Sequence, residues 1–181
     1  MRTLLTLTSL LISTALLLVG QGMQLTLLPL RASSIGLSDF IIGVSASAYF
    51  MGFVAGCLLI PRIIAKVGHI RSFAVLTAIM MSAILALETL DGWVPWLLLR
   101  FLTGAMICGL YTVIESWLND QTSAQSRGQV LAIYTFIILS AMAVGQVLIN
   151  VGPVSSATPF ILAAIFMALA IVPAGLTSRL A

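Results

Sequence analysis

The sequence is short of charge. Of 181 residues, eight are Lys or Arg, five are Asp or Glu, and one is His. Charged residues make up 7% of the chain, where a soluble domain carries about 25%. So few charges cannot cover a water-facing surface, which excludes a single soluble domain and a charge-rich disordered chain. The net charge of +3 and pI near 9.3 do not point to nucleic acid. The basic residues are too few and too scattered for a patch that tracks phosphates. Cysteine is scarce too, which excludes a disulfide scaffold. Cys57 and Cys108 both lie inside apolar stretches and are expected to fill the core rather than form a disulfide or metal pair. With a single His, no stretch offers a paired acid and base, a Ser/His arrangement or metal-ligand spacing. The expectation is therefore no enzyme, no cofactor and no metal.

What the chain has is apolar length. Hydrophobic residues make up 61% and the mean hydropathy is +1.19, the profile of a helical integral membrane protein. The charges cut it into segments. Thr3–Leu30, Phe40–Pro61 and the 51-residue stretch Gly128–Ser178 carry none. A span needs about 20 residues, so the last stretch holds two helices. Their turn is marked by breakers from Val151 to Pro159. Six helices result, at about 4–30, 40–62, 72–90, 93–118, 128–150 and 159–177, in one domain covering 1–181. Arg2 followed by an apolar run has the look of a secretory signal, but the run is too long and has no convincing cleavage site. It is read as the first span.

Orientation follows from the basic residues. One set of ends carries Arg2, Arg62, Lys66, Arg71, Arg127 and Arg179. The other carries only Arg31, beside Asp39, Glu88 and Asp91. Both termini are expected in the cytoplasm. Trp93 and Trp96 fall at the outer start of the fourth helix, where interfacial aromatics belong. A faint internal repeat accompanies this pattern. Ala55–Ile60 resembles Val144–Ile149 at an offset of 89 residues, which would relate helices 1–3 to 4–6 as an inverted 3+3 repeat.

Arg100 is the strongest single signal. A charge in mid-helix costs about 2.5–3.5 kcal/mol even on the lenient insertion scale, so it must face protein or a water-filled cavity. One reading makes it an anion, proton or substrate contact; the other has it tying helices through carbonyls or amides. Gly104, Cys108, Tyr111 and Glu115 follow on its helical sector. Gln21 and Gln24 in helix 1, Ser45 and Tyr49 in helix 2 and Gln146 in helix 5 share its depth. Gln21, Gln24, Tyr49, Arg100 and Gln146 are the candidate lining of a polar cavity, against the plainer reading of interhelical hydrogen-bond glue. Small residues, including the Gly52–Gly56 pair, mark close helix packing.

The loop Pro61-Arg62-Ile63-Ile64-Ala65-Lys66-Val67-Gly68-His69-Ile70-Arg71 resembles the loop between helices 2 and 3 of the major facilitator superfamily, G-x-L-a-D-R-x-G-R-K/R. Lys66, Gly68 and Arg71 fit. Pro61 stands for the first Gly and Ala65 for the Asp that normally caps a helix of the second half. Arg100 to Gly104 is similar to the fourth-helix R-x-x-x-G. Arg127-Gly128 resembles the opening of helix 5, and Glu115–Asp120 resembles a bacterial branch of poorly characterised members. Gly145-Gln146 stands where antiporters often carry Gly-Pro. The resemblance implies an all-α membrane fold, the N-terminal six-helix half of a secondary transporter. It also implies a cytoplasmic charge network of Lys66, Arg71, Glu115, Asp120 and Arg127 around Gly68 that stabilises one access state. His69 reads as a surface histidine rather than a proton carrier.

The family's full architecture pairs two six-helix halves around the substrate site. The expected partners are therefore membrane lipid, a small-molecule solute and a second half-bundle, with no nucleic acid. The second half would be another copy, a partner chain or the remainder of a longer protein, and the chain is read as a fragment or split gene product. The expected function is movement of a small polar or anionic solute by alternating access. A non-transporting membrane subunit or assembly factor on the same scaffold is the alternative. The topology is checked by reporter fusions after Leu30, Arg62, Leu90, Leu118, Asn150 and Thr177. Cytoplasmic and external signals should alternate, with the fusion after Thr177 cytoplasmic.

Overall fold

The structure, a computed structural model, describes residues 2–90 and 92–176. Asp91, Arg179 and the last residue expected of the sixth helix, 177, lie outside the described residues. Six helices follow in order: α1 Arg2–Ser34, α2 Asp39–Val67, α3 His69–Thr89, α4 Trp93–Asp120, α5 Arg127–Leu148 and α6 Thr158–Leu176. A short 3₁₀ turn, Ile149–Val151, follows α5. No strand occurs among the described residues, and all six helices are long and apolar enough to cross a bilayer. The end where α2 meets α3 and α4 leads to α5 carries Lys66, Arg71 and Arg127, and is called here the basic end.

The spans fall close to where charge placed them, with one informative difference. Instead of a loop over 62–72, α2 runs to Val67 and α3 begins at His69. Only Gly68 separates them. Its φ of +88° lies in the left-handed region that side chains with a Cβ avoid. One glycine thus makes the whole reversal, and the Gly68 N–H still closes α2 on the Ile64 carbonyl at 2.8 Å. At the far end Ser38 caps α2, its Oγ accepting from the Ile41 N–H at 3.4 Å.

Two close seams organise the bundle. In the first, α2 lies on α4. A Cβ at Gly52 would collide with the Phe101 carbonyl and one at Gly104 with the Tyr49 carbonyl. One at Gly56 would lie 2.9 Å from the Ala105 Cα. In the second, α5 lies on α1. A Cβ at Gly145 would meet the Val19 carbonyl, and one at Gly22 the Met142 carbonyl. The offset of 89 maps Gly56 onto Gly145 and Gly52 onto the buried Ala141, so the packing repeats as the sequence does. Helix α3 packs on α4 and α6, and α6 on α1. Leu17, Phe73, Met80, Ile84, Ile107 and Phe160 are fully buried between them.

The first seam also corrects an expectation. Cys57 and Cys108 do not fill the core separately. They form a disulfide between α2 and α4, with Cα atoms 5.8 Å apart. The glycines below them are the cause, because only near-contact of the two backbones brings Cα atoms that close.

At the opposite end Arg31 ties three elements together. Its Nη1 donates to the Ser155 carbonyl at 2.7 Å and its Nη2 to Glu88 Oε1 at 3.5 Å, while the guanidinium lies 5.9 Å from the Phe160 ring centre. A cation in the last turn of α1 also suits the helix dipole.

Gly104→Leu should force α2 and α4 apart, at a cost of about 1–3 kcal/mol for overpacking. The expected result is that Cys57 and Cys108 no longer close. Unreduced protein, whose thiols the wild type hides, would then take up two maleimide–polyethylene glycol labels on a gel.

Candidate functional site

Helices α2 and α4 run in the same direction, so partners across their seam keep a constant spacing of 51 residues. Trp96 Nε1 donates to Ser45 Oγ at 3.1 Å. One turn further, the Arg100 guanidinium carbon lies 4.6 Å from the centre of the Tyr49 ring, a cation–π contact. Two turns beyond, Cys57 meets Cys108. The first of these rungs revises the aromatic belt. Trp93 is 54% exposed and fits an interfacial anchor, but Trp96 is 1% exposed and belongs to the seam.

Four of the five cavity candidates come together. Gln24 Nε2 donates to Gln21 Oε1 at 3.2 Å. Gln21 Nε2 donates to the Tyr49 oxygen, also at 3.2 Å. Gln24 makes a further, longer contact to the Met167 sulfur on α6 at 3.9 Å. Both amides are buried, whereas Tyr49 and Arg100 are partly exposed. The chain of donors therefore runs outward, from the core of α1 to the surface of the α2–α4 pair. Its last member is the hydroxyl of Tyr49, the residue whose ring meets the Arg100 guanidinium. Among the described residues Arg100 makes no side-chain hydrogen bond or ion pair; its contact is the Tyr49 ring. Gln146 stays apart, exposed on α5 with no bond to this group.

The polar stripe expected below Arg100 is divided. Gly104 and Cys108 are taken up by the seam with α2. Tyr111 and Glu115 instead line a cleft of about 390 Å³ with Phe53, Cys57, Cys108 and Thr112. Tyr134 on α5 donates to Glu115 Oε1 across 3.4 Å.

At the basic end Lys66, Arg71, Glu115, Asp120 and Arg127 are all exposed. Among the described residues, Lys66, Arg71 and Arg127 form no ion pair with Glu115 or Asp120. The residue that joins this end is His69. Its Nε2 lies 2.9 Å from Ser116 Oγ and 3.9 Å from Asp120 Oδ2, and its ring stacks on Trp117 at 6.4 Å. Sequence reasoning read His69 as a plain surface residue. Its partners lie some 50 residues away on α4, and no local pattern could announce them. Gly68 and Arg71 share a cleft of about 370 Å³ with His69 and Asp120.

The family model described as Major Facilitator Superfamily matches residues 10–179. The chain belongs to this superfamily, a class of multi-pass membrane transporters. Curated relatives in Escherichia coli strains E24377A, HS and K12/DH10B each carry the name uncharacterized MFS-type transporter YcaD. Each is 30% identical to this chain over 125 residues, which is 69% of the chain and 33% of the relative. The chain thus spans about a third of the length of the curated relatives it matches. No solved structure matches.

Gln21→Leu removes the central member of the relay and leaves the Gln24 amide short of a partner. Membrane hydrogen bonds average about 0.6 kcal/mol, so the variant should lose about 1–2 kcal/mol with the unpaired amide included. Gln146→Ala should be neutral. Unfolding in mixed detergent micelles checks both.

Proposed function

We propose that the chain is half of a secondary active transporter of the major facilitator type. It moves a small polar or anionic solute across a bacterial inner membrane by alternating access, with both termini cytoplasmic. The observation that carries this reading is Arg100. A charge within a span is costly, and this one, partly exposed, meets an aromatic ring and has no carboxylate or carbonyl acceptor among the described residues. A purely structural arginine would spend its donors on the protein. Tyr49, backed by the buried Gln21 and Gln24, then lines one wall of the solute path, and a second half-bundle supplies the other. The exposed apolar faces of α2 and α5 support a covering partner. Phe50, Met51 and Leu58 on the one and Phe136, Leu139 and Val147 on the other are each more than three-fifths exposed. Lys66, Gly68, Arg71, Glu115, Asp120 and Arg127 act at the cytoplasmic gate, with His69 as their contact to α4.

The test is counterflow in proteoliposomes, screened over small carboxylates, sugars and amino acids. Arg100→Ala should lower counterflow of the active solute about tenfold or more, the worth of a hydrogen-bonded charge. Full activity in the variant would remove Arg100 from the mechanism.

Pro61, Ala65 and the unpaired basic residues of the loop favour a second reading, a non-transporting subunit or assembly factor. It requires co-purification in a stable mixed complex with no solute-dependent behaviour.

A further inference from the structure

The transport reading leaves open what kind of solute meets Arg100, and the direction of the hydrogen bonds narrows it. Gln24 gives a proton to Gln21, and Gln21 gives one to the Tyr49 oxygen. A phenol oxygen that accepts still has its own hydrogen to donate. No acceptor for that hydrogen occurs among the described contacts of Tyr49. The adjacent guanidinium carries five N–H donors and no acceptor at all, and it too is without a protein acceptor. The α2–α4 surface at this point therefore offers donors and positive charge only. The acidic residue on the same helix, Glu115, is fifteen positions away, about 22 Å by helix rise. It cannot neutralise Arg100 directly.

We infer that Tyr49 and Arg100 form an oxyanion-binding pair, so that the solute presents a carboxylate or similar oxyanion to them. This inference rests on the proposed transport role for its solute, though the binding itself needs no transport. An anion here completes both orphan donors and neutralises a guanidinium that has no ion-pair partner among the described residues. A neutral hydroxyl solute would leave the charge standing, and a cation would be repelled. The cation–π contact holds the guanidinium carbon 4.6 Å from the centre of the Tyr49 ring, and a ring face takes up none of its N–H donors as a hydrogen-bond acceptor would. Gln21 and Gln24 act as positioning residues: they occupy the Tyr49 lone pair and so orient its hydrogen outward. Trp96 and Ser45 close the seam one turn above.

The test uses the full chain purified in dodecyl maltoside, a detergent without phosphate. Three probes share a four-carbon skeleton: butyrate, butyramide and butylammonium. Butyrate should raise the melting temperature saturably, and the other two should not. Tyr49→Phe keeps the ring beneath Arg100 but lacks the hydroxyl. It should shift half-saturation by butyrate about tenfold upward, the worth of one hydrogen bond to a charged group. Arg100→Gln should abolish the response while still melting cooperatively. An equal response to butyramide overturns the inference, and so does unchanged affinity in Tyr49→Phe or no response to butyrate. Loss of the butyrate effect on adding phosphatidylglycerol also overturns it, by giving the site to a lipid headgroup. The two readings fail differently. Butyrate binding without any counterflow sinks transport and leaves the pair standing. Arg100-dependent counterflow of a neutral or cationic solute sinks the pair and leaves transport standing.

Discussion

The backbone contact between α2 and α4 is the constraint on which the rest depends. Lipid gives helices no hydrophobic reason to associate, so packing and polar contacts must do it. Gly52, Gly56 and Gly104 remove the side chains that would hold the two backbones apart. Because the helices are parallel, a single close approach sets every pair along the seam at one spacing. Ser45 falls to Trp96, Tyr49 to Arg100 and Cys57 to Cys108. None of these pairings is chosen independently. A shift of one residue would unmake all three.

The same seam explains how a guanidinium survives within a span. Tyr49 offers its ring 4.6 Å from the guanidinium carbon, and no side-chain hydrogen bond or ion pair of Arg100 occurs among the described residues. The hydroxyl of that ring is in turn held by Gln21, which is held to α1 by Gln24. Two buried amides would be expensive alone, but each supplies the other's partner. Polarity is thus led outward from the core to one accessible place. Elsewhere the buried polar groups of the described interior are mainly hydroxyls: Thr14 and Thr103 bond to their own helices and Ser45 to Trp96, while Ser13, Ser72 and Thr77 have no hydrogen-bond partner there.

The six spans were legible because hydropathy and charge are local properties, read directly along the chain. The contact among four of the cavity candidates was legible too, since an amide or a guanidinium at membrane depth announces its need for a partner. What escaped was every feature fixed by the spacing between helices. The cysteines read as core because nothing local shows that they sit opposite each other. Trp96 read as an interfacial residue because its position along the chain is right and only its rotation about the helix is wrong for that role. Gln146 shares the depth of Arg100 but not its place across the bundle. The loop after α2 read as a loop because its charges suggested water, while one left-handed glycine lets both helices run through it.

The inverted repeat sharpens the question of where function resides. Packing repeats in the two seams, but chemistry does not. Under the 89-residue offset, Tyr49 corresponds to Ile138 and Arg100 to Leu11, while Cys57 corresponds to Gln146 and Cys108 to Val19. Ser45 corresponds to the buried Tyr134 and Trp96 to Leu7, so the α1–α5 seam has the small residues of its counterpart but no charge in place of Arg100. A residue needed only to hold two helices together would be useful in both seams, since both face the same packing problem. Arg100 and Tyr49 occur in one. Their restriction to a single seam sets them apart from the close packing that the two seams share.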